Sequence, residues 1–341
     1  MWRRLLWHTA PLAKLRASPS GLPHVPSRLS KLSVDEIRQR YASADAPVSP
    51  QMLNKLKRDP RNGVRQIYEA LKKRYERDSA ERNRLDAMLN FERVLWRAGV
   101  QHIAGVDEVG MGPLAGPVIA AAVVFPPHTE LAGIDDSKKL DLEQRLDAER
   151  RIREVASAIA IGRAEVAEID TVNIYHAGLL AMRRAVEALP VRPQHVLVDA
   201  RSIPGVDVPQ NCFDKGDGID FSIAAASIVA KVHRDRLMDE LAREYPDYGF
   251  ERHKGYCTPE HQDAIRRLGP CTIHRKSFTF IRELRGEYSA LFYDLKHRLV
   301  SAAAAPELEA IEQELDASRG ALADSGRRKL RLTLSRRWRA L

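Results

Sequence analysis

Residues 117–127 form the longest apolar stretch of the chain, and they constrain its fold more than any other segment. The stretch carries no charge, which is typical of a strand that is fully buried in a sheet. It is shorter than the roughly 18 consecutive apolar residues that a helix needs to span a membrane. The sequence therefore predicts a buried strand here and no membrane segment.

Further apolar and periodic runs extend this pattern along the chain. The predicted strands cover residues 103–106, 117–125, 158–166 and 195–198, and the predicted helices cover residues 170–189, 222–243 and 259–268. The second of these helices opens with many alanines, which suits close packing against a sheet. Strands that come first and then alternate with helices indicate a mixed α/β sheet.

Charge-rich helical segments precede and follow this region. Ser33 and Glu36 have the spacing of a capping box. A long helix is then predicted from about residue 64 to residue 97, with its apolar positions at helical spacing. After about residue 280 the chain is helical again, and it ends in a basic run at residues 327–339.

The first 32 residues are basic and hold several prolines and serines, which predicts a disordered segment. No acidic residue comes before Asp35, a composition typical of a mitochondrial presequence. A basic tail, or an upstream start that is not the true one, would have the same composition. The segment lacks the apolar core of a secretory signal, so export is not predicted.

The charge and the cysteines narrow the class of protein. A formal net charge of +9 suggests a polyanionic partner such as nucleic acid, although many basic proteins bind none. Cys212, Cys257 and Cys271 have no C-x-x-C spacing, so they indicate neither a disulfide framework nor a zinc site. A reducing compartment is favoured, and we expect a cytoplasmic protein, with mitochondrial import as the alternative.

Four acidic residues stand where an acid is hard to explain. Asp107 and Glu108 follow the first predicted strand. Asp199 follows the last one, and Asp217 comes shortly before the alanine-rich helix. A lone carboxylate at a strand end is usually a turn or cap residue, but four together would repel unless a cation neutralised them. Mg²⁺ and Mn²⁺ prefer oxygen ligands, so such a cluster suits phosphodiester hydrolysis.

Asp107 and Glu108 are neighbours, and strand alternation sends neighbours to opposite faces of a sheet. Both can face one site only if the strand ends or bends there. Gly110 and Gly112 follow at once and permit such a bend. We therefore expect the strand to end or bend at the two acids.

At these residues the sequence resembles ribonuclease HII. The motifs that carry the resemblance are IAGVDEVGMGPLAGP (103–117), DSKKL (136–140), VLVD (196–199), KGD (215–217), SIAAASIVAK (222–231), HKGY (253–256) and HRKSF (274–278). They occur in order over residues 101–280, and several long motifs in order are far more specific than one. The resemblance implies an α/β, RNase H-like fold, a mixed β-sheet flanked by helices.

The resemblance also implies an endoribonuclease that hydrolyses the RNA strand of RNA–DNA hybrids and cuts at ribonucleotides embedded in duplex DNA. The implied chemistry is metal-assisted attack by water, which leaves 3′-hydroxyl and 5′-phosphate ends. Carried over position by position, the catalytic and metal-binding residues are Asp107, Glu108, Asp199 and Asp217, with Mn²⁺ or Mg²⁺ as cofactor. The partner is nucleic acid, and we expect a monomer that serves DNA replication and repair.

The expected substrate-binding residues are Gly110, Met111, Gly112, Lys138 and Tyr256. The resemblance implies that the backbone of the first three reads the 2′-hydroxyl and that the tyrosine packs on the nucleotide at the RNA–DNA junction. The 2′-hydroxyl is what distinguishes RNA from DNA, so contacts to it and to the adjoining sugar would let the protein recognise a ribonucleotide. For Lys138 a contact with the phosphate backbone and a solvated side chain are both open.

The sequence departs from the family at two places. Met111 stands where the family usually has arginine, and a methionine offers no phosphate contact. Ile219 and Asp220 stand where the family often has lysine and serine, and Asp220 adds a negative charge near the predicted site.

Four segments are predicted, a disordered one, a helical N-terminal extension, an RNase H-like catalytic domain, and a basic, helical C-terminal segment. They cover residues 1–32, 33–98, 99–285 and 286–341. Two other functions stay open. One is a hybrid-binding protein of the same fold with impaired catalysis, which Met111 favours and the four acids oppose. The other is another nuclease of the superfamily, such as a junction resolvase, which the loop glycines and Tyr256 oppose.

Overall fold

The computed structural model describes residues 29–41, 43, 47–318 and 320–340. The disorder predicted for residues 1–32 lies almost wholly outside the described residues. The chain divides into two compact units, with the boundary between Arg84 and Leu85. No helix in the described residues is both long and apolar enough to cross a membrane.

The first unit is helical. Its helices are α1 (Val34–Tyr41), α2 (Pro50–Lys57) and the larger part of α3 (Asn62–Met88), with a 3₁₀ turn at Leu29–Lys31. The predicted capping box is confirmed, because the Ser33 amide donates to Glu36 Oε2 at 2.6 Å and the Glu36 amide donates to Ser33 Oγ at 3.2 Å. Ile37, Leu56 and Leu71 belong to the apolar cluster that holds these helices together.

The long helix predicted over residues 64–97 is wrong in its continuity. The structure ends α3 at Met88 and begins α4 (Asn90–Arg97) after Leu89, whose backbone leaves the helical region (φ −84°, ψ 8°). Apolar spacing runs on through this position, so periodicity alone does not reveal the break.

The second unit contains one sheet and most of the helices. Its strands are β1 (Ile103–Val109), β2 (Val118–Val124), β3 (Ala158–Ala164), β4 (His195–Asp199) and β5 (Gln210–Phe213). After α4 its helices are α5 (Leu142–Val155), α6 (Val166–Glu187), α7 (Phe221–Glu244), α8 (Phe250–His253), α9 (Pro259–Leu268), α10 (Thr279–Leu284), α11 (Ala290–Ser301), α12 (Ala305–Ala317) and α13 (Asp324–Trp338), with 3₁₀ turns at Gly216–Gly218 and Pro246–Tyr248.

The sheet is mixed, as predicted. Its strand order is β3-β2-β1-β4-β5. β1 pairs antiparallel with β2, which pairs antiparallel with β3, whereas β4 pairs parallel with both β1 and β5. The sequence left β5 and α5 unassigned.

Helices cover both faces of the sheet at close range. One face packs against α6, and the other packs against α7 and α5. A Cβ on Gly105 would lie 2.1 Å from the carbonyl carbon of Ser222, and one on Gly162 would lie 1.9 Å from the Ala181 carbonyl oxygen. Helices can approach strands this closely only over glycine and alanine, which confirms the reading of the alanine-rich helix.

The last three helices form a small bundle. Phe292, Leu308 and Leu330 come one from each of α11, α12 and α13, and all three are fully buried in a common apolar cluster. The segment predicted to be helical after residue 280 is therefore helical, with a core of its own.

Candidate active site

The two central strands end at different heights and leave an edge of β1 open. β4 pairs with β1 only as far as Val106 opposite Val198. β1 itself continues to Val109 in regular register with β2. The expectation that β1 ends or bends at the two acids is therefore wrong. Asp107 and Glu108 lie within the strand, beyond the last residue of β1 that pairs with β4.

The two acids leave opposite faces of the sheet, yet their oxygens meet at the open edge. Asp107 faces α7, where the nearby Ser227 side chain partly offsets the rise in its pKa. Glu108 faces α6, where its Cγ lies 3.9 Å from the position that a Cβ on Gly178 would take. One carboxylate oxygen from each of these acids and one from Asp199 lie within 4.8 Å of one another.

Backbone amides orient two of these carboxylates. The Gly216 amide donates to Asp199 Oδ1 at 2.6 Å, and the Glu108 amide donates to Asp107 Oδ1 at 2.7 Å. Each bond fixes the direction of the carboxylate and leaves its other oxygen for a ligand.

Asp217 stands beside this trio rather than within it. It lies on the 3₁₀ turn that follows β5, is 5% exposed, and accepts from Lys138 Nζ at 2.8 Å. Its charge contributes to raising the pKa of each acid of the trio, which shows that all four acids share one electrostatic environment. We call Asp107, Glu108, Asp199 and Asp217 the carboxylate cluster.

Burial and mutual repulsion dominate the electrostatics of the cluster. Burial, with the charges of Glu108 and Asp199, raises the pKa of Asp107 well above its usual range. Burial and the Asp199 charge raise the pKa of Glu108 to about 7. Burial also raises the pKa of Asp199. Burial opposes protonation of Lys138, but its bond to Asp217 raises the pKa of the ammonium on balance.

The chemistry of these donors fits a divalent cation. Glu108 Oε2 is buried and has no hydrogen-bond partner among the described residues. A buried oxygen without a partner is costly, and carboxylates that raise one another's pKa are stabilised when a cation sits between them. The carboxylates and their spacing thus suit an ion that prefers oxygen ligands.

The predicted substrate-binding residues lie around this edge. Gly112 is exposed, and a Cβ placed on it would lie 4.0 Å from a ring carbon of Tyr256, so the loop and the tyrosine form one surface. Lys138 joins the carboxylate cluster through Asp217. The Met111 side chain lies on the α6 side of this edge, where it packs against the core cluster and lines a cavity with Glu108 and Asp199, and its Sδ would lie 3.0 Å from a Cβ on Gly178.

Two residues for which the sequence predicts no role lie beneath the loop. Arg234 and Arg275 are fully buried, and their guanidiniums bond to loop carbonyls. Arg275 lies in a motif of the resemblance, but nothing in the sequence around either arginine indicates burial.

Comparison with known proteins defines the class of protein. Residues 104–281 match the ribonuclease HII family, and residues 33–96 match the ribonuclease HII N-terminal domain. Ribonuclease HII of Myxococcus xanthus is 51% identical over 260 residues, which cover 76% of this chain and 89% of that protein. Ribonuclease HII of Bacillus licheniformis is 46% identical over 254 residues, which cover 74% of this chain and 99% of that protein. Ribonuclease H2 of Pyrococcus horikoshii is similar in structure, with a TM-score of 0.46 and 24% identity over 55% of this chain and 98% of that one.

The chain is thus an endoribonuclease of the ribonuclease H class, with the predicted fold class. It belongs to the ribonuclease HII family, as the resemblance implied. The family acts on nucleic acid and depends on divalent metal ions, and neither alternative function is favoured.

Proposed function

We propose that this enzyme hydrolyses the RNA strand of RNA–DNA hybrids and also cuts at single ribonucleotides embedded in duplex DNA. The observation that carries the proposal is the meeting of the Asp107, Glu108 and Asp199 oxygens at the open edge of β1. The exposed loop at Gly112 and the Tyr256 ring adjoin each other, which supports a ribonucleotide as the group that is recognised.

The carboxylate cluster would hold the metal, either Mg²⁺ or Mn²⁺. Asp107, Glu108 and Asp199 would contribute oxygens directly, and Asp217 lies beside them on its turn. When bound, such ions neutralise negative charge at a phosphodiester and make water more acidic.

The residues of the chain orient this site without help from the ion. The amide of Gly216 holds the Asp199 carboxylate, and the amide of Glu108 holds that of Asp107. Lys138 Nζ, which bonds to Asp217, lies where the scissile phosphate would approach the cluster. A lysine at that position attracts the phosphate backbone and offsets the repulsion between the phosphate and the acids.

Recognition of the ribose would fall to the loop and the tyrosine. The amides of Met111 and Gly112 have no acceptor in the part of the chain that the structure describes, so both are free to donate to a 2′-hydroxyl. Tyr256, with 38% of its surface exposed, offers a ring face to the neighbouring sugar. An amide that donates to the 2′-oxygen occupies one of its lone pairs, and the metal would activate water, so we expect water and not that hydroxyl to be the nucleophile.

The test is a cleavage assay with a hybrid, a duplex holding one ribonucleotide, and an all-DNA junction. We expect cleavage of the first two substrates with Mg²⁺ or Mn²⁺, and none after chelation. The products should end in a 3′-hydroxyl and a 5′-phosphate, because water attacks. Cyclic phosphate ends would show that the 2′-hydroxyl is the nucleophile. Cleavage of the junction alone would show that the proposed substrates are wrong.

A further inference from the structure

The backbone carbonyls of the loop at residues 110–117 are turned inward onto two buried guanidiniums. Arg275, which is fully buried, donates through Nη2 to the Gly110 carbonyl at 2.6 Å, through Nη1 to the Met111 carbonyl at 3.2 Å, and through Nε to the Gly116 carbonyl at 2.9 Å. A planar guanidinium can bond several carbonyls in a fixed geometry, which an ammonium cannot do.

The direction of these carbonyls dictates the direction of the adjacent amides. In a trans peptide the C=O of one residue points away from the N–H of the next, and the described residues contain no cis peptide. Since the Gly110 and Met111 carbonyls point at Arg275, the amides of Met111 and Gly112 point away from it. These are the two amides without an acceptor in the described chain.

Arg234 ties the same loop to the segment that carries the tyrosine. Its side chain, also fully buried, donates to the carbonyls of Pro117 at 3.2 Å and Ala115 at 3.1 Å. Its remaining Nη1 donates to the Lys254 carbonyl at 3.1 Å, two residues before Tyr256. The Tyr256 ring lies over the same guanidinium, with its centroid 5.8 Å from Cζ.

Neither guanidinium has a carboxylate within ion-pair distance among the described residues. Burial and the nearby Arg234 charge lower the pKa of Arg275 to about 9, so the buried cation carries a cost. A scaffold alone would be served by neutral donors at lower cost, because an unpaired buried charge is expensive. A polyanionic substrate over the loop offsets that cost when it binds.

We propose that Arg275 and Arg234, the arginine bracket, are positioning residues for ribonucleotide recognition. Arg275 turns the Met111 and Gly112 amides outward toward the 2′-hydroxyl, and Arg234 fixes Tyr256 relative to them. The proposal rests on the proposed function, since it assumes that the loop reads ribose.

The test compares affinity for two duplexes of one sequence, one with a single ribonucleotide and one all DNA. Ca²⁺ replaces Mg²⁺, because its larger and more flexible oxygen shell lets duplexes bind without being cut. The Arg275→Lys variant keeps the positive charge but loses the planar set of donors that bonds the three carbonyls. We expect the preference for the ribonucleotide duplex to fall about tenfold, the equivalent of one or two misplaced hydrogen bonds, while affinity for the DNA duplex is kept. Arg150→Lys, the same substitution at an exposed position of α5, should keep the preference.

Three outcomes are distinguishable. A folded Arg275→Lys variant that keeps the full preference, even with a lowered melting temperature, overturns the proposal and makes the arginine a scaffold residue. If the wild-type protein binds both duplexes equally well, the proposed function itself is wrong in assigning ribose recognition to this loop. A lost preference in a folded variant supports the bracket.

A second measurement uses the unaltered chain, in case Arg275→Lys does not fold. Hydrogen exchange should be fast at the Met111 and Gly112 amides of the free protein. The ribonucleotide duplex should slow it by at least about tenfold, the protection expected from one hydrogen bond, and the all-DNA duplex should not. Slow exchange in the free protein, or equal protection by both duplexes, overturns the proposal.

Discussion

The carboxylate cluster gathers buried negative charges and the arginine bracket gathers buried positive charges in the same unit of the fold, and the chain compensates the two groups differently. The six bonds from the bracket all end on backbone carbonyls, so its donors are satisfied inside the protein. The carboxylate cluster keeps a buried oxygen, Glu108 Oε2, without a partner in the described chain.

The difference shows that the chain itself supplies hydrogen-bond partners for the bracket, whereas the cluster needs a ligand from outside the chain. Repulsion and burial act on both, since they raise the pKa values of Asp107 and Glu108 and lower that of Arg275. The carboxylate cluster holds a buried oxygen without a hydrogen-bond partner in the described chain, so a cation should stabilise it, and it should lose little stability when one of its acids is neutralised. The bracket should lose stability when an arginine is removed, because three carbonyls would then be orphaned.

The largest expected effect comes from Asp107→Asn. Cleavage should fall by roughly a thousandfold or more, because ion-assisted stabilisation of the transition state is worth several kcal/mol. Without metal at pH 8, the Asp107→Asn variant should be no less stable to unfolding than the wild type. Because the pKa of Asp107 is raised in the folded protein, its contribution to stability is fully present below the pKa of the unfolded chain and is lost as pH rises through the folded pKa. At pH 8 the charged carboxylate therefore destabilises the fold.

The matched variant for this comparison is Arg275→Met, which removes a buried charge of the opposite sign. Denaturant unfolding at pH 8 without metal should show a loss of roughly 3 kcal/mol for that variant, because three buried carbonyls lose their donor at about 1–3 kcal/mol each. Near-normal turnover of Asp107→Asn with Mg²⁺ or Mn²⁺ would contradict the metal site. Equal destabilisation by both variants would end the contrast between the two groups.

The sequence predicted the carboxylate cluster better than the bracket, and the reason is chain distance. Each acid follows or adjoins an apolar run, so it can be singled out from its local sequence, although Asp107 and Glu108 lie within β1 and not at its end. Arg275 meets Gly110 across 165 residues of sequence, and nothing local marks such a contact. β5 is not predicted from the sequence, because Gln210–Phe213 is a partly exposed edge strand without an apolar run. The missed helix α5 does carry a readable start, the capping box of Asp141 and Gln144.

A second, smaller effect concerns neutral histidines beside the bracket. The Cys271 amide donates to His274 Nδ1 at 2.9 Å, so His274 Nε2–H donates to His261 Nε2 at 3.1 Å. His261 Nδ1–H then donates to the Tyr256 carbonyl at 2.9 Å. Burial, together with neighbouring histidine charge, lowers the pKa of His261 to about 4 and that of His274 to about 3.

Because both native pKa values lie below the unfolded value of 6.5, the unfolded chain takes up protons first as pH falls. Stability should therefore be lost from about pH 6.5 downward, by up to roughly 1.4 kcal/mol per pH unit for each group. Denaturant unfolding at pH 7 and pH 5 should show a smaller loss in His261→Gln than in the wild type. The carboxylate cluster is common to both proteins, so its own pH dependence cancels in the difference. Equal losses would show that these histidines accept protons in the native state.

The smallest expected effect is at Met111, the position between cluster and bracket. Its carbonyl accepts a hydrogen bond from Arg275 of the bracket, whereas its side chain packs against the core under α6. Met111→Arg must lift that side chain out of the core or overpack it, so we expect a loss of about 1–2 kcal/mol in the free energy of unfolding. Met111→Leu, the control of similar volume, should lose less than about 1.5 kcal/mol.

The new guanidinium would also add a phosphate contact at the edge of the site. Such a contact is partly solvated, so KM for a duplex with one ribonucleotide should fall by less than about tenfold. A contact that acts equally on bound substrate and transition state changes KM and leaves kcat alone. Steady-state kinetics and thermal unfolding of Met111→Arg and Met111→Leu test both parts. An unchanged KM together with the loss of stability would make Met111 a packing residue only, and would mean that the charge beneath the loop already comes from Arg275 and Arg234.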